Sequence, residues 1–167
     1  MNEHDDHTTA DSTEHNQKIF EFLQSHPIGV LASVTDQGKP HATTIYFAVH
    51  DDFTITFTTK RDTKKHQVLA QNPNVCLVVF EAFSQTTVQV DGVALELADQ
   101  NAAIEAFGNT LKASMQTSDA GVPPISKLFA GNYIAYQLKP DAIKMAVYRR
   151  PDKGHYEMFE SVDFTPA

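Results

Sequence analysis

The stretch Phe53-Thr-Ile-Thr-Phe-Thr-Thr-Lys-Arg-Asp-Thr-Lys-Lys65 decides how the chain is read. Its first five residues alternate apolar and polar, the period of a half-buried strand. Lys64 to Gln71 then has the spacing of a short helix, stopped by Asn72-Pro73. A strand that carries hydroxyls and cations to a helix start builds an anion site. Thr58, Thr59 and Thr63 supply directional hydrogen bonds, and Lys60, Arg61, Lys64 and Lys65 supply charge. Free amides of the first helical turn add a partial positive charge. A phosphate group suits this chemistry. The same composition also describes a solvated basic turn. The cluster does stand out from its background, because the chain has a formal net charge of -8 and 13 Lys and Arg in all.

Working outward, the neighbouring segments also read as β-structure. Ile28 to Thr35 is a strand, Asp36-Gln-Gly-Lys39 a turn, and His41 to Val49 the next strand. Asp51-Asp52 turns the chain into strand 53–59, completing a meander. Strands 74–82 and 86–97 follow, with Gly92 marking a bulge or bend. Residues 99–116 have helical spacing, with Asp99 as cap and Ala103, Phe107, Leu111 and Met115 towards the core. Thr117 to Pro124 is a loop, and strands near 132–139 and 142–149 complete the set. Before the meander, a helix over about 14–25 carries Ile19, Phe20, Phe22 and Leu23 on its apolar side and ends at Pro27. Residues 1–13 read as a disordered tail. Its His4 and His7, with His15, lack the fixed supporting groups that a metal site needs, so no metal is expected. Six or so antiparallel strands with few helices exclude a doubly wound parallel sheet. The expected fold is mainly β, a small closed or split antiparallel barrel with short flanking helices.

A chain of 167 residues forms one domain with its own core. The acidic balance argues against nucleic-acid binding. No stretch approaches the length of a membrane span, and the polar, acidic N-terminus is unlike a signal peptide, so a cytoplasmic location is expected. The single cysteine, Cys76, allows no internal disulfide and reads as a buried core residue.

The order of motifs resembles the FMN-binding split barrels of the pyridoxamine 5'-phosphate oxidase-like family, including its general stress protein-like members. The resemblance covers about residues 15–148. It rests on the turn Gly38-Lys-Pro40, on the spacing of Thr59, Thr63 and Lys65, and on Asn72-Pro73-x-Val75-x-Leu77 followed by Val88-x-Val90-x-Gly92. It implies a split-barrel domain over 14–150 with a C-terminal extension over 151–167. It also implies that Thr58, Thr59, Thr63, Lys64 and Lys65, with Lys60 sharing the charge, hold an FMN phosphate. Thr43, Thr44, Ile45 and Tyr46 would flank the isoalloxazine, and Thr87 would add a polar contact. Thr43 stands where some relatives carry arginine, and Lys64 replaces a frequent arginine, losing its bidentate fork.

Two departures bear on function. Ala48 occupies the position of a substrate lysine. The region of an expected Arg-x-His stretch instead reads Tyr148-Arg-Arg-Pro-Asp-Lys-Gly-His155. Vitamin B6 oxidation is therefore not expected. Arg149 and Arg150 could meet an anionic substrate or a partner subunit, or form a solvated turn. His66 reads as a surface or helix-packing residue, and no catalytic residue is identified. The expectation is an FMN-dependent oxidoreductase acting on a small molecule, as a homodimer with flavin at the interface. The alternatives are a non-catalytic flavin or haem binder and a reductase using the deazaflavin F420.

Overall fold

The computed structural model describes residues 6–117, 133–148 and 159–163. His4, most of the loop expected at 117–124, and Arg149 and Arg150 with the stretch to His155 lie outside the described residues.

The element order is α1 (Asp6–Ser25), β1 (Ile28–Val34), β2 (Pro40–Val49), β3 (Ile55–Lys60), α2 (Lys64–Gln71), β4 (Asn74–Glu81), β5 (Thr86–Glu96), α3 (Gln100–Met115), β6 (Tyr133–Val147) and β7 (Phe159–Asp163). The sheet order is β3-β2-β1-β4-β5-β6-β7, and a further pairing of β3 with β6 closes six antiparallel strands into a barrel. Closure follows from the alternation along each strand. Leu31, Ile45, Phe47, Ile55, Phe57, Leu77, Val79, Val88, Val90, Leu138 and Ile143 point inward and are buried together. Ile19, Phe22 and Leu23 of α1 pack against the same core.

Several expectations need correction. The two C-terminal strands are one, β6, which runs through Pro140. Its first part pairs with β3, from Tyr133 with Lys60 to Leu138 with Ile55, and its second part, from Ala142 to Ala146, pairs with β7. Pro140 and the extra residue Asp141 fall in the interval between, at a bulge opposite Asp91 and Gly92. A bulge is one of the few places where a sheet accepts a residue without an N–H. Gly92 is required there, because a Cβ would collide with the Lys139 carbonyl and come within 2.9 Å of the Pro140 Cα.

The strand β7 was not anticipated. Helix α1 starts at Asp6, inside the stretch read as a disordered tail. Its packed C-terminal half supplies the nucleus, and extending an existing helix costs far less than starting one. Helix α3 carries the expected Asp99 cap, whose carboxylate accepts the Ala102 amide at 2.8 Å. Its buried face is Ala106, Phe107, Thr110 and Ser114, whereas Met115 is exposed. Thr110 can turn inward because its hydroxyl donates to the Ala106 carbonyl at 2.7 Å. Cys76 is half-buried on the outer face of β4, opposite in direction to Leu77 and Val79, with Ala32 and Asp91 as its cross-strand neighbours. Phe53 precedes β3 in a turn with φ 62°, a costly conformation for a bulky residue. Its buried ring meets Phe20 of α1 edge-on, with centroids 6.0 Å apart.

Candidate functional site

The end of β3 and the start of α2 meet through hydroxyls. Thr63 caps α2 in extended conformation, accepting the His66 amide at 3.3 Å and donating to the Lys60 carbonyl at 2.8 Å. Thr59 Oγ1 lies 3.0 Å from Thr63 Oγ1. Since the single Thr63 proton goes to Lys60, Thr59 is the donor in that pair. The amides of Lys64 and Lys65 open the helix and have no intrahelical acceptor.

The four cations of this turn differ in circumstance. Lys60 and Lys64 are exposed. Arg61 is turned aside, with its guanidinium 4.0 Å from the Glu96 carboxylate. Lys65 is half-buried and has no hydrogen-bond or ion-pair partner among the described residues. Burial pushes its ammonium down from 10.5 to about 8, because the charged form loses hydration without gaining a counter-charge.

Beside this turn the sheet parts. β2 pairs with β3 only through Phe47, Ala48 and Val49, while Pro40 to Tyr46 have β1 on one side and, among the described residues, no strand on the other. β3 meanwhile continues along β6 through Thr58, Thr59 and Lys60. The structure thus sets Thr43 to Tyr46 along a one-sided strand edge, whose backbone groups on the open side are available to a flat ligand. Thr43 shares the inward phase of Ile45, whereas Thr44 and Tyr46 share the outer phase.

Two of the expected residues do not join the turn. Thr58 has the opposite phase to Thr59 and shares the face of Thr56, which α3 covers through the bond from Thr110 to the Thr56 carbonyl. Its hydroxyl is buried with no partner among the described residues. Thr87 stands on the outer face of β5, across from Phe80. That outer face is apolar and open. Val30 is 43% exposed between Thr44 and Val78, and Phe80 is 61% exposed.

A cleft of about 700 Å³ lies elsewhere, between α1, the β2–β3 hairpin and α3, lined in part by Ala48, His50, Thr56, Ala106, Lys112 and Gln137. None of residues 58–65 borders it. A phosphate held by amides and side chains at a helix start needs no cavity of that size, so the cleft and the turn are separate features.

The sequence reading missed how His66 and Tyr136 are joined. His66 Nδ1 lies 2.7 Å from the Tyr136 hydroxyl, across 70 positions of chain. The alternation of Ile134, Tyr136 and Leu138 signals an inward-facing ring, but no local pattern says which side chain its hydroxyl meets.

The family model for pyridoxamine 5'-phosphate oxidase matches residues 16–133. The chain belongs to the pyridoxamine 5'-phosphate oxidase family. The chain is also 37% identical over 81 residues to general stress protein 26 of Bacillus subtilis, a match covering 47% of this chain and 56% of that relative. The chain therefore aligns with little more than half the length of this curated relative. Among solved structures, it resembles a pyridoxamine 5'-phosphate oxidase-related, FMN-binding protein of Nostoc punctiforme, with TM-score 0.58 and 15% identity over 96% of this chain and 97% of that one. It also resembles a heme-binding protein of Mycobacterium smegmatis, with TM-score 0.68 and 15% identity over 89% and 57% of the two chains. At these identities the two structures speak for the shared barrel alone. The pyridoxamine 5'-phosphate oxidase barrel is thus common to proteins described by different ligands.

Proposed function

We propose that this chain is an FMN-binding flavoprotein, a flavin-dependent oxidoreductase that acts on a small molecule as a cytoplasmic homodimer. The observation that carries the reading is Lys65, half-buried and without a partner among the described residues, two positions after the Thr63 cap whose hydroxyl meets that of Thr59, at a helix start that follows the strand leaving β2. The FMN phosphate is close to a dianion near neutral pH, and a buried cation without a partner gains most from such a charge. Thr59 and Thr63 would release their mutual bond and turn protons outward, while the Lys64 and Lys65 amides complete the cradle. Lys60 and Lys64 add exposed charge. The open edge at Thr43 to Tyr46 would take the polar rim of the isoalloxazine. When bound, FMN supplies the electron transfer, and the chain contributes binding, orientation and shielding.

A homodimer agrees with the apolar outer face of β1, β2 and β4. A second copy would cover Val30 and Phe80 and repeat the site by symmetry, with Thr44, Tyr46 and Thr87 at the join. Ala48 offers no cation where pyridoxamine phosphate oxidases use a lysine, so a substrate other than vitamin B6 is expected.

Titration of FMN and riboflavin into the wild type, Lys65→Ala and Lys39→Ala tests the reading. Removing the charged contact costs roughly 1.5–3 kcal/mol, about ten- to a hundredfold in FMN affinity. Riboflavin, which lacks the phosphate, should lose far less. Lys39, exposed in the distant β1–β2 turn, should matter to neither ligand. Equal weakening of both ligands by Lys65→Ala, or of neither, removes the phosphate assignment. In the same samples, a yellow spectrum bleached by NADH or NADPH supports an oxidoreductase, whereas a Soret band in the purified protein replaces flavin with haem.

A further inference from the structure

We infer that Tyr136, sealed inside the barrel, positions the phosphate-binding turn through its hydrogen bond to His66. The inference rests on the flavin reading above and assigns a task to two residues that need not touch the ligand.

The geometry has a fixed end and a movable end. Tyr136 is 2% exposed, and its ring lies parallel to Phe57, with centroids 5.4 Å apart and planes at 10°. The two residues are also cross-strand partners between β3 and β6. A ring so packed cannot swing, which makes its hydroxyl a fixed point on the barrel. That hydroxyl has one partner among the described residues, His66 Nδ1 at 2.7 Å. Burial pushes the phenol up to about 12, so it keeps its proton at any working pH.

His66 is the movable end. It is the third residue of α2, and its amide donates to the Thr63 hydroxyl. One residue is therefore held twice, by its backbone to the helix cap and by its ring to the barrel interior. The groups that would grip a phosphate, the Thr63 hydroxyl and the Lys64 and Lys65 amides, lie between two anchors. The first anchor is Thr59 on Thr63, and the second is Tyr136 on His66. Releasing the second frees the first turn of α2 to rotate about the first, and it leaves a buried hydroxyl unpaired. Pre-organisation of the turn is then worth affinity for the phosphate and nothing for the ring system.

The test compares FMN and riboflavin binding to the apo protein in the wild type, Tyr136→Phe, His66→Ala, His66→Asn, the double variant Tyr136→Phe/His66→Ala, and Lys65→Ala. Tyr136→Phe keeps the packed ring and deletes one neutral hydrogen bond, so FMN should weaken about three- to tenfold, with riboflavin essentially unmoved. His66→Ala should act alike. The double variant should be no weaker than His66→Ala alone, because both remove the same contact. His66→Asn, which keeps a polar group near the Nδ1 position, should recover most of the loss. An unchanged FMN affinity in Tyr136→Phe, equal losses for both flavins, or additive losses in the double variant would each overturn the inference. If Lys65→Ala still weakens FMN selectively, the flavin reading survives any of these results. If the wild type binds neither flavin, the flavin reading has itself failed and this inference goes with it.

Discussion

Thr59 and Thr63 place their hydroxyls 3.0 Å apart, so the last turn of the barrel wall and the cap of α2 share one proton-bearing contact. Between them runs the turn that holds Lys60 and Arg61, and after them come Lys64 and Lys65. Thr63→Val keeps the shape and removes both the contact and the helix cap. FMN binding should fall by at least tenfold, and loss of the cap should cost about 1 kcal/mol of stability. Calorimetric titration together with urea unfolding separates the two effects. Normal FMN affinity in a destabilised Thr63→Val would remove the hydroxyl from the site.

The ammonium of Lys65 makes FMN binding depend on pH. It titrates at about 8 instead of 10.5. It is therefore charged near neutrality before any phosphate arrives. Above about pH 8 the free protein must take up a proton to bind, and FMN affinity should drop by up to about tenfold per pH unit. Riboflavin affinity should stay level. Folding has the opposite sign. The unfolded chain holds this proton more tightly, so the ligand-free protein gains stability as pH climbs from about 8 towards 10.5. Both dependences should vanish in Lys65→Met. Parallel FMN losses for the wild type and Lys65→Met across that range would sink the assignment.

The apolar outer face yields a test of assembly. Val30 projects between Thr44 and Val78 and is 43% exposed. Val30→Asp should leave the barrel folded, since the site is open, yet place a carboxylate in the proposed interface. Sedimentation at micromolar concentration should show the wild type as a dimer and the variant as a monomer with weakened flavin binding. A monomeric wild type with full FMN affinity would exclude a shared site.

Gly92→Ala tests the bulge. The added methyl meets backbone atoms of Lys139 and Pro140, which cannot yield as a flexible side chain would. A loss of about 1–3 kcal/mol is expected in denaturant unfolding. Asp99→Ala, which deletes the cap on the Ala102 amide, should cost about 1 kcal/mol and leave flavin affinity unchanged.

Much of the barrel was legible because strand alternation is a local signal. Ile55 to Phe57 and Val88 to Val90 announce their inward faces without reference to anything distant, although Phe53, read as the start of the same strand, lies in the turn before it. The Asp99 cap was readable for the same reason, as it satisfies an amide three residues away, whereas Thr63 was read for a ligand and proves also to cap α2. What escaped depends on contacts far along the chain. Residues 132–139 and 142–149 were read as two strands, but the change of edge partner that lets one strand pass through Pro140 is a tertiary fact. The true inner face of α3 is set by its fit over β2 and β3, which draws in Thr110 and Ser114 ahead of Met115. Within the candidate site, the spacing of Thr59 and Thr63 was sufficient to pick out two hydroxyls that meet, with Lys65 following in the first turn of α2. Thr58 shows the limit of counting hydroxyls, because a strand sends neighbours to opposite faces. His66 was read as a packing residue, and it packs, but its partner lies on a strand that a local reading cannot bring near it.

The shared edge of β6 has an evolutionary consequence. Its first half closes the barrel against β3, and its second half carries β7, with Pro140 and Asp141 between them. A lineage can lengthen, replace or discard whatever occupies the second half without re-registering a single barrel pair. Changes confined to the appended strand therefore leave the pairing of β3 with β6, and the turn that follows β3, untouched.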